Sequence, residues 1–118
     1  MNRVDGKVAV VTGGTQGLGK AIAMNLAKMG AKGIVTLGRN EKRGEEVAMS
    51  VNQETSCETY FFKTELSDVN NCREAIAFTL EKFSQIDILV NAAGLTDRGN
   101  IVETSEELFD KMIGTNVK

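Results

Sequence analysis

Residues 8–19, VAVVTGGTQGLG, join an apolar run to a glycine-rich turn, and a helical pattern follows over residues 20–29. Glycine has no Cβ, so backbone N–H groups in such a turn can approach phosphate oxygens closely. The first turn of the following helix adds N–H groups without intrahelical partners and the positive end of the helix dipole. The stretch therefore predicts a strand, a turn and a helix that together hold a diphosphate.

Two other interpretations of these glycines compete with a dinucleotide loop. Residues 14–20 also satisfy the glycine and lysine positions of a Walker A loop, which would make the protein an ATPase. That motif needs Ser or Thr at its last position for Mg²⁺, and this chain has alanine there. The apolar positions of this segment instead predict a helix packed on a sheet: Ala21, Ile22, Leu26 and Met29. The remaining interpretation is a purely structural turn.

Length and composition predict one globular domain over residues 1–118, with 42% hydrophobic and 25% charged residues. A net charge of −2 gives no basic footprint, and the few aromatic residues offer little for base stacking, so nucleic-acid binding is not expected. The longest apolar runs are roughly half of what a membrane span needs, and the first residues contain no apolar signal region. We therefore expect a cytoplasmic protein without membrane contact.

The cysteine and histidine content argues against metal chemistry. Cys57 and Cys72 form no C-x-x-C pattern, and the chain has no histidine to complete a zinc set or a Cys–His pair. We expect both cysteines to be small, partly buried residues and no metal to be bound. Any acid–base chemistry near neutral pH would have to use carboxylate, lysine or tyrosine.

Hydrophobic periodicity predicts strictly alternating strands and helices. Continuous apolar strands indicate a parallel sheet covered by helices on both faces, a doubly wound α/β fold of the Rossmann type. Right-handed crossovers predict the partial strand order 3-2-1-4, which is four of the usual six or so strands. The fourth strand is then an exposed apolar edge, so we expect a fragment or one partner of an obligate assembly. The predicted strands lie near 7–12, 33–38, 59–63 and 86–91, and the predicted helices near 17–30, 41–53, 68–84 and 104–117.

Polar residues mark where three of these helices begin. Asn40 is placed to cap the second helix, and Ser67 or Asp68 the third. Thr104 and Glu107 have the spacing of a capping box for the fourth.

The G-x-x-x-G-x-G spacing of the first turn resembles the cofactor loop of short-chain dehydrogenases/reductases. The tetrapeptide Asn91-Ala92-Ala93-Gly94, directly after the fourth strand, resembles a second motif of that family. Small residues at the carboxyl end of a central strand let the backbone lie against ribose and nicotinamide. The resemblance implies that Asn91 ties neighbouring strands, and that the following residues contact cofactor: Gly13, Thr15, Gln16, Gly17, Leu18, Gly19, Asn91, Ala92, Ala93 and Gly94.

The end of the second strand bears on which dinucleotide is used. Gly38 stands where NAD-using members of the family usually have Asp, and Arg39 and Asn40 follow it. A carboxylate would bind the ribose 2′-hydroxyl and repel a 2′-phosphate, whereas a guanidinium suits phosphate. We expect NADP(H) to be the cofactor, with NAD(H) as the weaker alternative. The structural alternative is that Arg39 is only a solvated loop residue.

After the third strand, residues 63–68 resemble the family's stretch that flanks the adenine. Glu65 replaces the usual Asp, which leaves its contact to the adenine amino group open, and Leu66 is expected to form a wall of the adenine pocket. Asp68 is equally compatible with a plain helix cap.

The resemblance covers the cofactor half of the enzyme and stops before the family's Ser and Tyr-x-x-x-Lys. Asn116 resembles the asparagine that holds a water in a proton relay to the catalytic lysine. The only tyrosine, Tyr60, precedes Lys63 by three positions in a predicted strand, so their side chains should lie on opposite faces. We expect Tyr60 to be a packing residue.

The resemblance implies an oxidoreductase that transfers a hydride between NADP(H) and a small carbonyl or alcohol substrate, and a homo-oligomer when complete. The 118 residues alone are expected to be inactive. The alternative is a non-catalytic dinucleotide-binding module or a truncated, inactive product.

Overall fold

The computed structural model describes residues 4–13 and 17–92. Strands and helices alternate, as the periodicity predicts. In chain order they are β1 (Val8–Thr12), α1 (Gly17–Lys28), β2 (Gly33–Gly38), α2 (Glu41–Glu54), β3 (Glu58–Lys63), α3 (Val69–Phe83) and β4 (Ile88–Asn91). The predicted helix near 104–117, with its capping box, lies outside the described residues.

The strands form one parallel sheet in the order β3-β2-β1-β4. In the centre of the sheet, Val10 of β1 pairs with Val35 of β2 on one side and with Leu89 of β4 on the other. This confirms the predicted order. Because all strands run in the same direction, their carboxyl ends meet at one edge of the sheet.

The sheet separates two hydrophobic clusters, which explains why its central strands, β1 and β2, are buried at every position. On one face, α1 and α2 cover the sheet, chiefly through Ile22, Ala23, Val47 and Val51. On the other face, α3 covers it through Ala75, Phe78 and Phe83. The structure thus confirms helices on both faces of the sheet.

The prediction for the buried face of α1 is partly wrong. Ala21 is exposed, and Leu26 and Met29 are only half-buried, whereas Ile22 is buried as expected. The buried stripe is completed by Ala23 and Ala27. The buried stripe of α1 is therefore shifted by about one residue from the predicted one. Its alanines are small, so the helix can pack close to the sheet.

Helix ends are set by local chemistry. Asn40 Oδ1 accepts a hydrogen bond from Arg43 N–H at 3.0 Å, and Asp68 accepts from Asn70 and Asn71, so both predicted caps are confirmed, with Asp68 rather than Ser67 capping α3. Two helices end earlier than predicted, because Gly30 (φ 99°) and Ser84 (φ 64°) adopt left-handed conformations.

The strand β4 begins at Ile88, two residues later than predicted. Asp87 Oδ2 accepts the N–H of Val8 at 2.9 Å, and Asp87 N–H donates to the carbonyl of Val8 at 2.8 Å. A carboxylate therefore replaces a backbone carbonyl at this position, and the regular ladder starts only after it.

Candidate dinucleotide-binding site

The carboxyl ends of three strands are held together at one edge of the sheet. Gly13 N–H donates to the carbonyl of Leu37 at the end of β2, at 2.8 Å. Ala92 N–H donates to the carbonyl of Thr12 at the end of β1, at 3.1 Å. These two bonds fix the segments that leave β1 and β4, and ligands of open α/β sheets bind at this edge.

Gly13 and Gly17 stand at the two ends of the turn after β1, and the structure describes both. Gly13 has φ +72°, a conformation that disfavours any residue with a Cβ. Gly17 begins α1, and no atom of the described part of the chain, apart from the local helix backbone and its neighbours, lies within 4 Å of where its Cβ would stand. Gly19 is buried and Leu18 is 36% exposed. Among the described residues nothing fills the space at the first residue of α1, and the first-turn N–H groups of a helix have no intrahelical partner.

Asn91 ties β4 to β1, as the resemblance implies. Its Oδ1 accepts a hydrogen bond from the Thr12 hydroxyl at 2.8 Å, and that hydroxyl also lies 3.4 Å from the carbonyl of Val90. Ala92 is buried. The Oδ1 atom of Asn91 is thus engaged within the sheet.

The end of β2 has no acidic side chain at its last position, since residue 38 is glycine. Arg39 follows with a side chain that is 79% exposed. The Asn40 oxygen caps α2, so this residue has a structural role whether or not it also contacts cofactor.

The segment after β3 lies beside the end of β2. Thr64 N–H donates to the carbonyl of Gly38 at 2.7 Å, which brings the next residue, Glu65, to Arg39; their closest charged atoms are 3.8 Å apart. Leu66 is half-buried and packs against the α3-side cluster.

Tyr60 is a packing residue, as predicted. Its ring meets Phe78 edge-on at 5.7 Å between centroids and lies 5.9 Å from the ring of Phe83. Its hydroxyl donates to the Glu58 carboxylate, and that hydrogen bond raises the phenol pKa, with burial and the charge of Glu58 acting in the same direction. A tyrosine that donates a proton in catalysis needs a lowered pKa, so Tyr60 has the opposite electrostatics.

Five of the predicted site residues lie outside the described residues: Thr15, Gln16, Ala93, Gly94 and Asn116.

Within residues 4–13 and 17–92 there is no group of three or more metal-binding side chains. Cys57 and Cys72 are free and buried, and burial is the main cause that raises the pKa of both thiols. No helix in this part of the chain is long and apolar enough to cross a membrane.

Comparison with known families agrees with this geometry. The model of the short chain dehydrogenase family matches residues 7–118, almost the whole chain. The chain belongs to the short-chain dehydrogenase family. An uncharacterized oxidoreductase of Staphylococcus saprophyticus is 41% identical over the whole of this chain and 50% of its own length. The chain spans about half the length of the curated relatives it matches.

Solved structures of the family share the fold. A dehydrogenase/reductase from Sinorhizobium meliloti matches with a TM-score of 0.73 and 34% identity, over 79% of this chain and 36% of that one. A short chain dehydrogenase/reductase from Burkholderia phymatum, solved in complex with NAD, matches with a TM-score of 0.70 and 28% identity, over 75% of this chain and 31% of that one. As a family member, the chain carries the fold of the short-chain dehydrogenases.

Sequence reasoning missed two side chains that shape this short-chain dehydrogenase sheet. The Thr12 hydroxyl donates a hydrogen bond to Asn91 Oδ1, and the Asp87 carboxylate accepts one from the first N–H of β1, that of Val8. The only signal for Thr12 was a polar residue at the end of an otherwise apolar strand. Asp87 precedes the apolar run of β4 and had no distinguishing signal.

Proposed function

We propose that the protein carrying this chain is an NADP(H)-dependent oxidoreductase, which transfers a hydride between the nicotinamide ring and a carbonyl or alcohol carbon. The observation that carries the proposal is the open space at Gly17, where α1 begins beside the joined carboxyl ends of β1, β2 and β4. A Cβ would fill that space, and a diphosphate fits its chemistry because the helix start offers N–H donors.

Each part of the dinucleotide has a counterpart in the described residues. The first N–H groups of α1, from Gly17 to Gly19, would bind the diphosphate. Leu66 would lie against the adenine, and Ala92 offers backbone without a bulky side chain toward ribose and nicotinamide. The bound cofactor would supply or accept the hydride, and the residues named here would position the cofactor.

The preference for NADP(H) rests on residues 38 and 39. Gly38 has no carboxylate to bind a ribose 2′-hydroxyl or to repel a 2′-phosphate. The Arg39 guanidinium is exposed beside it, and its planar donors match a phosphate. We expect the complete protein to bind NADPH at least about tenfold more tightly than NADH.

A second candidate concerns the 118 residues taken alone: cofactor binding without turnover. The observation that favours it is Tyr60, the only tyrosine, which is packed in β3 with a raised pKa. Without a proton donor at the carbonyl oxygen, the reaction loses a contribution of about 10²–10⁴ in rate. We therefore expect no hydride transfer by this polypeptide, and we assign Asn116 to a proton relay only in the complete enzyme.

The remaining parts of the proposal concern the setting of the enzyme. The substrate is a small carbonyl or alcohol compound. The free, buried Cys57 and Cys72 suit the reducing cytoplasm. Among the described residues β4 has no strand on its outer side, so we expect this edge to be covered by further chain or by another subunit, and the complete enzyme to be a homo-oligomer.

The test compares the 118-residue chain with a version extended through the downstream reading frame. Both are titrated calorimetrically with NADPH, NADH and Mg²⁺–ATP, and both are assayed for NADPH oxidation against a panel of aldehydes and ketones. We expect NADPH binding without ATP competition, and turnover only by the extended protein. Equal affinities for NADPH and NADH would refute the cofactor preference, and turnover by the short chain would refute the division of roles.

A further inference from the structure

Two hydrogen bonds orient Glu65 at the sheet edge beside Arg39, one at its backbone N–H and one at its carboxylate. Its backbone N–H donates to Asn71 Oδ1 at 2.6 Å, and the Ser67 hydroxyl donates to its Oε2 at 3.0 Å. The other oxygen, Oε1, lies 3.8 Å from Arg39 Nη1. The side chain therefore has a defined direction at the sheet edge, even though it is 49% exposed.

From this arrangement we infer that Glu65 is the counter-ion of Arg39 and sets how strongly the protein discriminates NADPH from NADH, a role that rests on the proposed function. A 2′-phosphate that binds the Arg39 guanidinium competes with the Glu65 carboxylate for its donors, and the negative charge of that carboxylate also repels the phosphate. NADH has no 2′-phosphate, so neither the competition nor the repulsion affects its binding. Glu65 thus lowers the affinity for NADPH selectively.

This role differs from the adenine contact expected from the sequence. Adenine is common to NADPH and NADH, so loss of an adenine contact weakens both cofactors by the same factor. Loss of a counter-ion strengthens NADPH alone. The two roles therefore predict opposite changes for NADPH, and one substitution distinguishes them.

The deciding variant is Glu65→Gln, which keeps the size of the side chain and removes its charge. We expect its NADPH affinity to rise about two- to fivefold, the range typical of an exposed ion pair, while its NADH affinity stays within about 1.5-fold of wild type. Raising the salt concentration should shrink the gain, because exposed charges are screened. Glu65→Asp keeps the charge and serves as the matched control, so it should show a smaller gain than the glutamine variant.

A double-mutant cycle with Arg39→Ala separates this inference from the proposed function. The measurement is calorimetric titration of wild type, both single variants and the double variant with NADPH and NADH. We expect Arg39→Ala to erase most of the preference for NADPH, and Glu65→Gln to gain at most half as much in that background as in wild type.

Each result has one meaning. A wild-type protein that binds neither cofactor, or an Arg39→Ala variant with an unchanged preference, contradicts the proposed function and the role of Glu65 with it. If Arg39→Ala acts as expected but Glu65→Gln leaves NADPH affinity unchanged, or weakens both cofactors equally, the counter-ion role alone is wrong.

Discussion

The Thr12 hydroxyl donates a hydrogen bond to Asn91 Oδ1 at 2.8 Å, and this bond joins the carboxyl ends of β1 and β4 across seventy-nine positions of sequence. Both residues stand at the last position of their strand and pair with each other in the ladder. The bond therefore fixes the ends of β1 and β4 relative to each other, and the proposal places the segments that follow them on either side of the cofactor.

We predict that Thr12→Val lowers the free energy of unfolding by about 1 kcal/mol, since it removes the hydroxyl and leaves the Asn91 oxygen without its donor. Denaturant unfolding measures this cost. The matched control is Thr36→Val in β2, whose buried hydroxyl makes only a long contact of 3.4 Å to the carbonyl of Tyr60. We expect a smaller loss there; equal losses in the two variants would mean that the Thr12 bond has no special contribution.

Gly17→Val should abolish NADPH binding while leaving most of the helical circular-dichroism signal. The described residues leave open space around a Cβ at this position, so the side chain fits the fold but occupies the place of the phosphate. Calorimetry and circular dichroism on the same sample measure both effects. An affinity within about threefold of wild type would show that the turn is merely structural.

Gly33→Ala should show the reverse pattern. Gly33 begins β2 at the amino edge of the sheet, and an added Cβ would collide with the ring of Phe83, which is buried in the core. We expect a loss of about 1–3 kcal/mol in the free energy of unfolding, the usual cost of overpacking. NADPH affinity of the folded protein should stay near that of wild type. Unchanged stability would mean that α3 can move away from the sheet at little cost.

Asp87 should make stability depend on pH in the acid range. Burial alone would raise the pKa of its carboxyl, but hydrogen bonds from Val8 N–H and Gln85 and the charges of Lys7 and Lys32 lower it below the ordinary value. A lowered folded-state pKa contributes stability that is present above about pH 4, the unfolded value, and is lost as the pH falls through the folded one.

The variant Asp87→Asn should therefore be less stable than wild type at neutral pH, by no more than about 1 kcal/mol because the carboxyl is largely exposed. The difference should shrink as the pH falls below about 4. Urea unfolding of both proteins across this range measures it. A constant difference at every pH would mean that the carboxylate charge contributes nothing.

Local patterns predicted more of the fold than of the contacts. Apolar runs and alternating periodicity gave the strand order, and Asn40 and Asp68 were recognisable as caps because a cap bonds to residues two or three positions away. The Asn52 amide bonds both the N–H and the carbonyl of Thr59, each at 2.8 Å, and so covers the outer edge of β3. Such a contact depends on how α2 lies on the sheet, which periodicity does not specify.

In the candidate site, too, local features were more predictable than contacts between elements. Glycine at position 13 was predictable, because its φ of +72° disfavours any residue with a Cβ. The direction of Glu65 was not, because Glu65 departs from the family pattern and its partner, Arg39, lies on a neighbouring strand end. Side-chain direction at an exposed edge depends on several weak contacts, and sequence spacing determines none of them.

The most direct test of the central claim, that the turn between β1 and α1 holds a dinucleotide, is an NMR titration of the isotopically labelled complete protein with NADPH. We predict the largest amide shifts at the sheet edge, in Gly13, Gly17, Leu18, Gly19 and Ala92, with little change at Asn52 and Thr59 on the outer edge of β3. Shifts absent from the β1–α1 turn, or concentrated elsewhere on the molecule, would contradict the account.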